Sequence, residues 1–127
     1  MTDKRKVLIL DDSELTLGAT SIALERGGYE VKTATSMADA QTILEGWSPD
    51  VVLTDVNMPG IEDTQVCAWL KSHIKRAPAS ILLYSGLPEE DLEPLARQSG
   101  ADGFLTKAKG LRHLVNQLGA LFSGASS

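Results

Sequence analysis

The chain has 127 residues, 43% of them hydrophobic and 23% charged, with a formal net charge of −5, a composition that fits one soluble domain around one core. The acidic balance argues against direct nucleic-acid binding, which needs a basic footprint, and the single cysteine, Cys67, excludes an internal disulfide and fits a reducing compartment as a small buried hydrophobe. The charged start Met1-Thr2-Asp3-Lys4-Arg5-Lys6 is followed only by the short apolar run Val7–Leu10 before Asp11. That run is too short for a signal peptide or a membrane span, so a cytoplasmic protein without membrane insertion is expected.

Apolar runs alternate with helical patterns along the whole chain. The runs start near Lys6, Tyr29, Asp50, Ser80 and Gly103, and the strong ones are apolar without alternation, as in a sheet covered on both faces. After the first run, Ser13 is a candidate N-cap, and Leu15, Ala19, Ile22 and Ala23 share a helical face. After the second, Ser36 caps a helix whose face is Met37, Ala40, Ile43 and Leu44. Gly27-Gly28, Gly46 and Gly100 fall where helices should stop. After the fourth run, Pro88 and Pro94 bracket Glu89-Glu90-Asp91. A proline is tolerated only near the first turn of a helix, so this helix is expected to begin no earlier than about Asp91, after a long loop. The last helix is the clearest, with Leu111, Leu114, Val115, Leu118, Leu121 and Phe122 on a 3.6-residue period. A short tail over 1–4, one domain over 5–122 and a frayed polar tail over 123–127 complete the division.

This strict alternation predicts an α/β domain, a doubly wound (βα)5 three-layer sandwich around a parallel sheet with right-handed crossovers. With strand order 2-1-3-4-5, the ligand crevice lies between the first and third strands, outside their carboxyl ends. Four runs end on polar residues at that edge: the first at Asp11-Asp12, the third at Asp55, the fourth at Ser85 and the fifth at Lys107.

Three carboxylates in one crevice repel one another, and a proton, a basic side chain or a divalent cation relieves this. An all-oxygen donor set with room for water suits Mg²⁺ better than zinc. Asp55, at the centre, can attack phosphorus and become an acyl phosphate. Mg²⁺ on Asp11 and Asp12 would neutralise one side, with the backbone carbonyl of Asn57 as a further ligand. Lys107 would pair with phosphoryl oxygens on the other side, Ser85 would donate a hydrogen bond to a third oxygen, and Gly86 would leave access. Taken singly, each of these residues has an ordinary structural reading, as a cap, a turn residue or a surface lysine; it is the combination that points to a site. His73 and His113 read as solvated helix residues, Trp47 as a helix end packed on the core, and Trp69 as either core or surface contact.

In these motifs the chain resembles a response-regulator receiver domain, the CheY-like family of two-component signal transduction. The resemblance rests on Leu-Asp-Asp-Ser at 10–13, Thr-Asp-Val-Asn-Met-Pro-Gly at 54–60, Tyr-Ser-Gly at 84–86 and Gly-Ala-Asp-Gly-Phe-Leu-Thr-Lys at 100–107, and it spans roughly residues 5 to 122. It implies that Asp55 is the phosphoacceptor for a histidine kinase or histidine phosphotransfer protein. It implies that Asp11, Asp12 and Asp55 hold Mg²⁺, or Mn²⁺ in its place. It makes Ser85 and Phe104 the switch pair and Lys107 the phosphate contact. A downstream protein partner would meet the face of the fourth helix, fifth strand and fifth helix, here offering Arg97, Gln98, Lys109, Arg112, His113 and Asn116. The protein would be a switch rather than an enzyme, monomeric or a weak phosphorylation-dependent dimer, with no direct nucleic-acid contact. It would act as a freestanding regulator or phosphorelay carrier if the chain is complete, its output lying elsewhere if it is not.

The chain departs from the family pattern in three places. Proline usually follows the active-site lysine, and here Ala108 does. A cis bond before a non-proline costs about 2.5–4 kcal/mol, so the Lys107–Gly110 backbone is expected to differ. Asp63 stands where glycine is common and would tolerate a positive φ better than most residues. Leu87, two residues past Ser85, cannot orient a hydrolytic water. Two rival readings stay open: an interaction module that is never phosphorylated, and an aspartate-nucleophile phosphohydrolase, which would want an acid where Asn57 stands.

Overall fold

The computed structural model of the chain describes residues 4–74 and 79–122, the side chain of Asp63 apart. The expected polar tail over 123–127, and residues 1–3 of the N-terminal tail, lie outside the described residues. Strands and helices alternate as β1 (Lys6–Leu10), α1 (Glu14–Arg26), β2 (Glu30–Ala34), α2 (Met37–Gly46), β3 (Val51–Thr54), α3 (Val66–His73), β4 (Ser80–Ser85), α4 (Glu89–Ser99), β5 (Gly103–Thr106) and α5 (Gly110–Phe122). The strands form one parallel sheet in the order β2-β1-β3-β4-β5.

The unbroken apolar runs exist because the sheet has a core on each face. Successive side chains of a strand point to opposite sides, so Val7 and Ile9 join Val51, Leu53, Leu114 and Leu118 under α1 and α5. Leu8 and Leu10 join Val52, Ile81, Leu83 and Leu92 under α2, α3 and α4. Each fully buried Leu contributes about 1.5–3 kcal/mol of burial free energy. The Ser13 and Ser36 hydroxyls cap α1 and α2 as expected, accepting from the N–H of Thr16 at 3.3 Å and of Asp39 at 3.1 Å.

Helix α1 turns the opposite way from the expected face. Leu15 is 86% and Ile22 53% exposed, while Leu17, Thr20 and Leu24 are buried. The helix carries leucines on two sides, so periodicity alone does not select one. Thr20 is tolerated inside because its hydroxyl lies close to that of the buried Tyr84, a polar neighbour that lowers the usual cost of burying a polar group.

Helix α4 also departs from expectation. It begins at Glu89, so the loop after Ser85 is short. Pro94 sits inside the helix, past its first turn. The acceptor it leaves unpaired is the carbonyl of Glu90, an exposed residue that water can satisfy. Three acids in the first turn favour the positive end of the helix. Among the described residues only glycines have positive φ, so the left-handed geometry considered for Asp63 is not used.

Candidate functional site

Chain direction brings the polar strand ends to one edge. Asp11 follows β1 and Asp55 follows β3, and their backbones continue the ladder: Asp11 donates its N–H to Ala34 at 3.1 Å and Asp55 to Leu10 at 2.9 Å. These bonds fix the direction in which each acid leaves the sheet. Ser85 is the last residue of β4, and Lys107 follows β5 directly.

Asp11, Asp12 and Asp55 each place a carboxylate oxygen within 4.8 Å of the others. Asp11 is buried at 1% exposure, and its Oδ1 accepts from the N–H of Ser13 at 2.9 Å. Its Oδ2 meets the Lys107 ammonium at 2.5 Å, and the same ammonium lies 3.7 Å from Asp55 Oδ2. Asp55 Oδ1 accepts from the N–H of Val56 at 2.7 Å and, more weakly, of Asn57 at 3.5 Å. Burial pushes the Asp55 carboxyl above the ordinary carboxylate range; Lys107 and the two N–H groups pull it back, and the charge of Asp11 adds to the rise. Asp12 is exposed at the mouth.

One ammonium thus serves two acids, and a third acid is left facing water. Hard carboxylate oxygens in this arrangement fit an octahedral divalent cation that keeps several waters, and no His or Cys belongs to the cluster. The donor chemistry therefore suits Mg²⁺.

The other expected residues fall on the rim or behind it. Ser85 is 5% exposed, and its Oγ accepts from the N–H of Leu87 at 3.2 Å, which leaves its proton free to donate. Gly86 is exposed, and a Cβ there would meet nothing within 4 Å; open space, rather than a forced close approach, surrounds it. Phe104 is half-buried against the α2-α3-α4 core, and in the sheet it is registered opposite Leu83, two residues before Ser85 on β4. Arg97, Gln98, Lys109, Arg112 and Asn116 are exposed on α4, the turn after β5, and α5, while His113 is half-buried. Lys109 is engaged with Glu89 at 3.1 Å, which ties the start of α4 to that turn.

Two residues were not singled out from the sequence. Tyr84 is buried, with its ring 5.5 Å from the Lys107 ammonium, within reach of a cation–π attraction. Thr106 is a buried hydroxyl at the end of β5. Both are the last residues of apolar runs, where a sequence pattern reads only core. Beside them a groove of about 290 Å³ opens between α1 and α5, lined by Leu15, Thr16, Ala19, Tyr84, Lys107 and Leu111 among others. Among the described residues no helix is long and apolar enough to cross a membrane.

Residues 7–119 match the family model of the response regulator receiver domain. The chain is 33% identical over 103 residues to the alkaline phosphatase synthesis transcriptional regulatory protein PhoP of Bacillus subtilis, covering 81% of this chain and 42% of that protein. It is 28% identical over 116 residues to the DNA-binding dual master transcriptional regulator RpaA of Synechocystis sp., covering 91% and 48%. The chain spans about half the length, or less, of these curated relatives. A solved structure of the chemotaxis response regulator CheY4 of Vibrio cholerae aligns with a TM-score of 0.75 at 28% identity, over 91% of this chain and 97% of that one.

Proposed function

The chain belongs to the response-regulator receiver domain family, and from that premise we propose that Asp55 takes a phosphoryl group from the phosphohistidine of a histidine kinase or histidine phosphotransfer protein and thereby switches a partner-binding surface. The observation that carries this reading is the ammonium of Lys107 set against two of three carboxylates that lie within 4.8 Å of one another. In transfer, a carboxylate oxygen of Asp55 attacks phosphorus as the bond from phosphorus to the imidazole nitrogen breaks, giving an acyl phosphate and a free histidine. Asp11, Asp12, Asp55 and the Asn57 carbonyl would hold Mg²⁺, which when bound supplies positive charge to the phosphoryl oxygens. Lys107 supplies positive charge from the β5 side, and the free proton of Ser85 is donated to another oxygen. Gly86 leaves the approach open. The groove beside Lys107, with exposed Leu15 and Ala19 of α1 on its wall, offers the donor's helix an apolar seat next to the reacting carboxylate.

The switch follows from the same bonds. When Ser85 turns toward a phosphoryl oxygen, space opens near Leu83, and the half-buried Phe104 ring can turn into it. Two packings of one ring form a bistable element that the phosphate biases. The surface that reads the change is built from Arg97, Gln98, Lys109, Arg112, His113 and Asn116.

The test is intact mass after incubation with acetyl phosphate and Mg²⁺. One phosphoryl group is expected on the wild type, none on Asp55→Asn, and none after chelation. A wild type that stays unmodified by both acetyl phosphate and phosphorylated kinases would leave the unphosphorylated interaction module as the correct reading. Steady release of phosphate from an external monoester would point to the hydrolase.

A further inference from the structure

Thr106 ends β5 as a buried residue, 3% exposed, yet its hydroxyl serves neither its own strand nor a neighbouring one. Its Oγ1 donates to the carbonyl of Leu87 at 2.8 Å and accepts from the N–H of Ala108 at 3.2 Å. The N–H of Leu87 is in turn held by Ser85 Oγ at 3.2 Å. Both polar groups of the Leu87 backbone are therefore bound by hydroxyls, from residues that are direct neighbours in the sheet, Ser85 being registered with Thr106.

The second bond of Thr106 closes the short helical turn Lys107–Lys109, which carries the site ammonium. Gly110, at φ 87, ends that turn and donates its N–H to the Lys107 carbonyl. The bond from residue 108 requires a backbone N–H, which alanine has and proline lacks. The residue that departs from the expected pattern is thus the one that lets Thr106 act in both directions.

We propose that the Thr106 hydroxyl is a latch that joins the loop after Ser85 and the turn carrying Lys107 into one unit, which makes Thr106 a positioning residue for two of the groups that meet the phosphoryl oxygens. This rests on the reading of Asp55 as phosphoacceptor. When Ser85 releases the Leu87 N–H to turn toward a phosphoryl oxygen, the bond from Thr106 to the Leu87 carbonyl still holds. Movement of the loop is then passed to the Lys107 turn and the start of α5. A buried threonine that only satisfied itself would bond within its own element. This one bridges two loops from the inside, whereas the other link between them, the Lys109–Glu89 ion pair at 3.1 Å, lies in solvent.

The experiment measures amide hydrogen exchange at Leu87 and Ala108 in the unmodified protein, and Asp55 phosphorylation by acetyl phosphate with Mg²⁺, in wild type, Thr106→Val and Thr106→Ser. In the valine protein exchange should quicken at least tenfold at both amides together, with protection in β1 and β3 unchanged. The maximal phosphorylation rate should fall about five- to twentyfold at unchanged half-saturating acetyl phosphate, and serine should restore both properties. Should the valine protein not fold, Thr106→Ala is read in the same way. Exchange that changes at Ala108 alone, or phosphorylation at the wild-type rate, overturns the latch. A wild type that accepts no phosphoryl group overturns the reading of Asp55 instead, and the paired exchange at Leu87 and Ala108 then decides the latch without it.

Discussion

Replacing Asp55 by asparagine should stabilise the metal-free protein at neutral pH while removing most of its response to magnesium. At an effective dielectric of about 20, Asp11 and Asp55 with oxygens within 4.8 Å repel by at least about 3.5 kcal/mol, and Lys107 at 3.7 Å attracts Asp55 by about 4.5 kcal/mol. These terms nearly cancel, so the burial of the charge decides the sign, and it lifts the Asp55 carboxyl above its ordinary range. An acid raised in the folded state binds its proton more tightly there than in the unfolded chain. Its favourable contribution is complete below the ordinary carboxylate range and is lost as pH rises through the folded value. The advantage of Asp55→Asn should therefore be full at pH 7 and shrink as the pH falls toward 4. Magnesium at one hundred times its dissociation constant should stabilise the wild type by about 2.7 kcal/mol, and a variant binding a hundredfold more weakly by only about 0.4 kcal/mol. At roughly 4 °C per kcal/mol for a domain of this size, thermal midpoints should rise by about 11 °C and 2 °C. Thermal unfolding by circular dichroism, in chelator and in magnesium from pH 4 to 8, measures all of this. A wild type as stable as the variant in chelator at pH 7, or equal magnesium shifts in the two proteins, would refute the charge-crowding argument.

Phe104→Ala should leave phosphorylation of Asp55 intact and abolish its effect on partner binding; equal phosphorylation-dependent tightening in the two proteins, followed by titration calorimetry, would count against the ring as the moving part. Leu87→Glu should shorten the lifetime of the phosphorylated form by placing an acid where a hydrolytic water can be oriented, and an unchanged decay followed by intact mass would remove Leu87 from consideration. Leu118→Ala, in the core between α5 and the sheet, should cost about 2–5 kcal/mol in urea unfolding. Leu15→Ala, 86% exposed, should stay within about 0.5 kcal/mol, and a large loss there would mean α1 packs through its other face.

Strand positions were legible because a sheet covered on both sides demands unbroken apolar runs, and Val7–Leu10, Val51–Leu53 and Ile81–Tyr84 supply them. The polar residues that end those runs were legible for the same reason: nothing in a core calls for Asp11, Asp12, Asp55 or Lys107, so the edge of the sheet was the place left for them. Which side of α1 faces inward was settled only by packing. Leu15 and Leu17 are equally apolar, and the choice depends on where β1 and β3 lie and on whether Thr20 finds the Tyr84 hydroxyl. The start of α4 at Glu89 is compatible with Pro94 because Glu90, whose carbonyl the proline cannot engage, lies exposed, a tertiary circumstance that no local rule about Pro94 includes. The bonds of Thr106 to Leu87 and Ala108 likewise exist only once β4 and β5 are side by side. A sequence pattern records what each residue prefers, whereas hydrogen bonds between loops distant along the chain depend on which strands become neighbours.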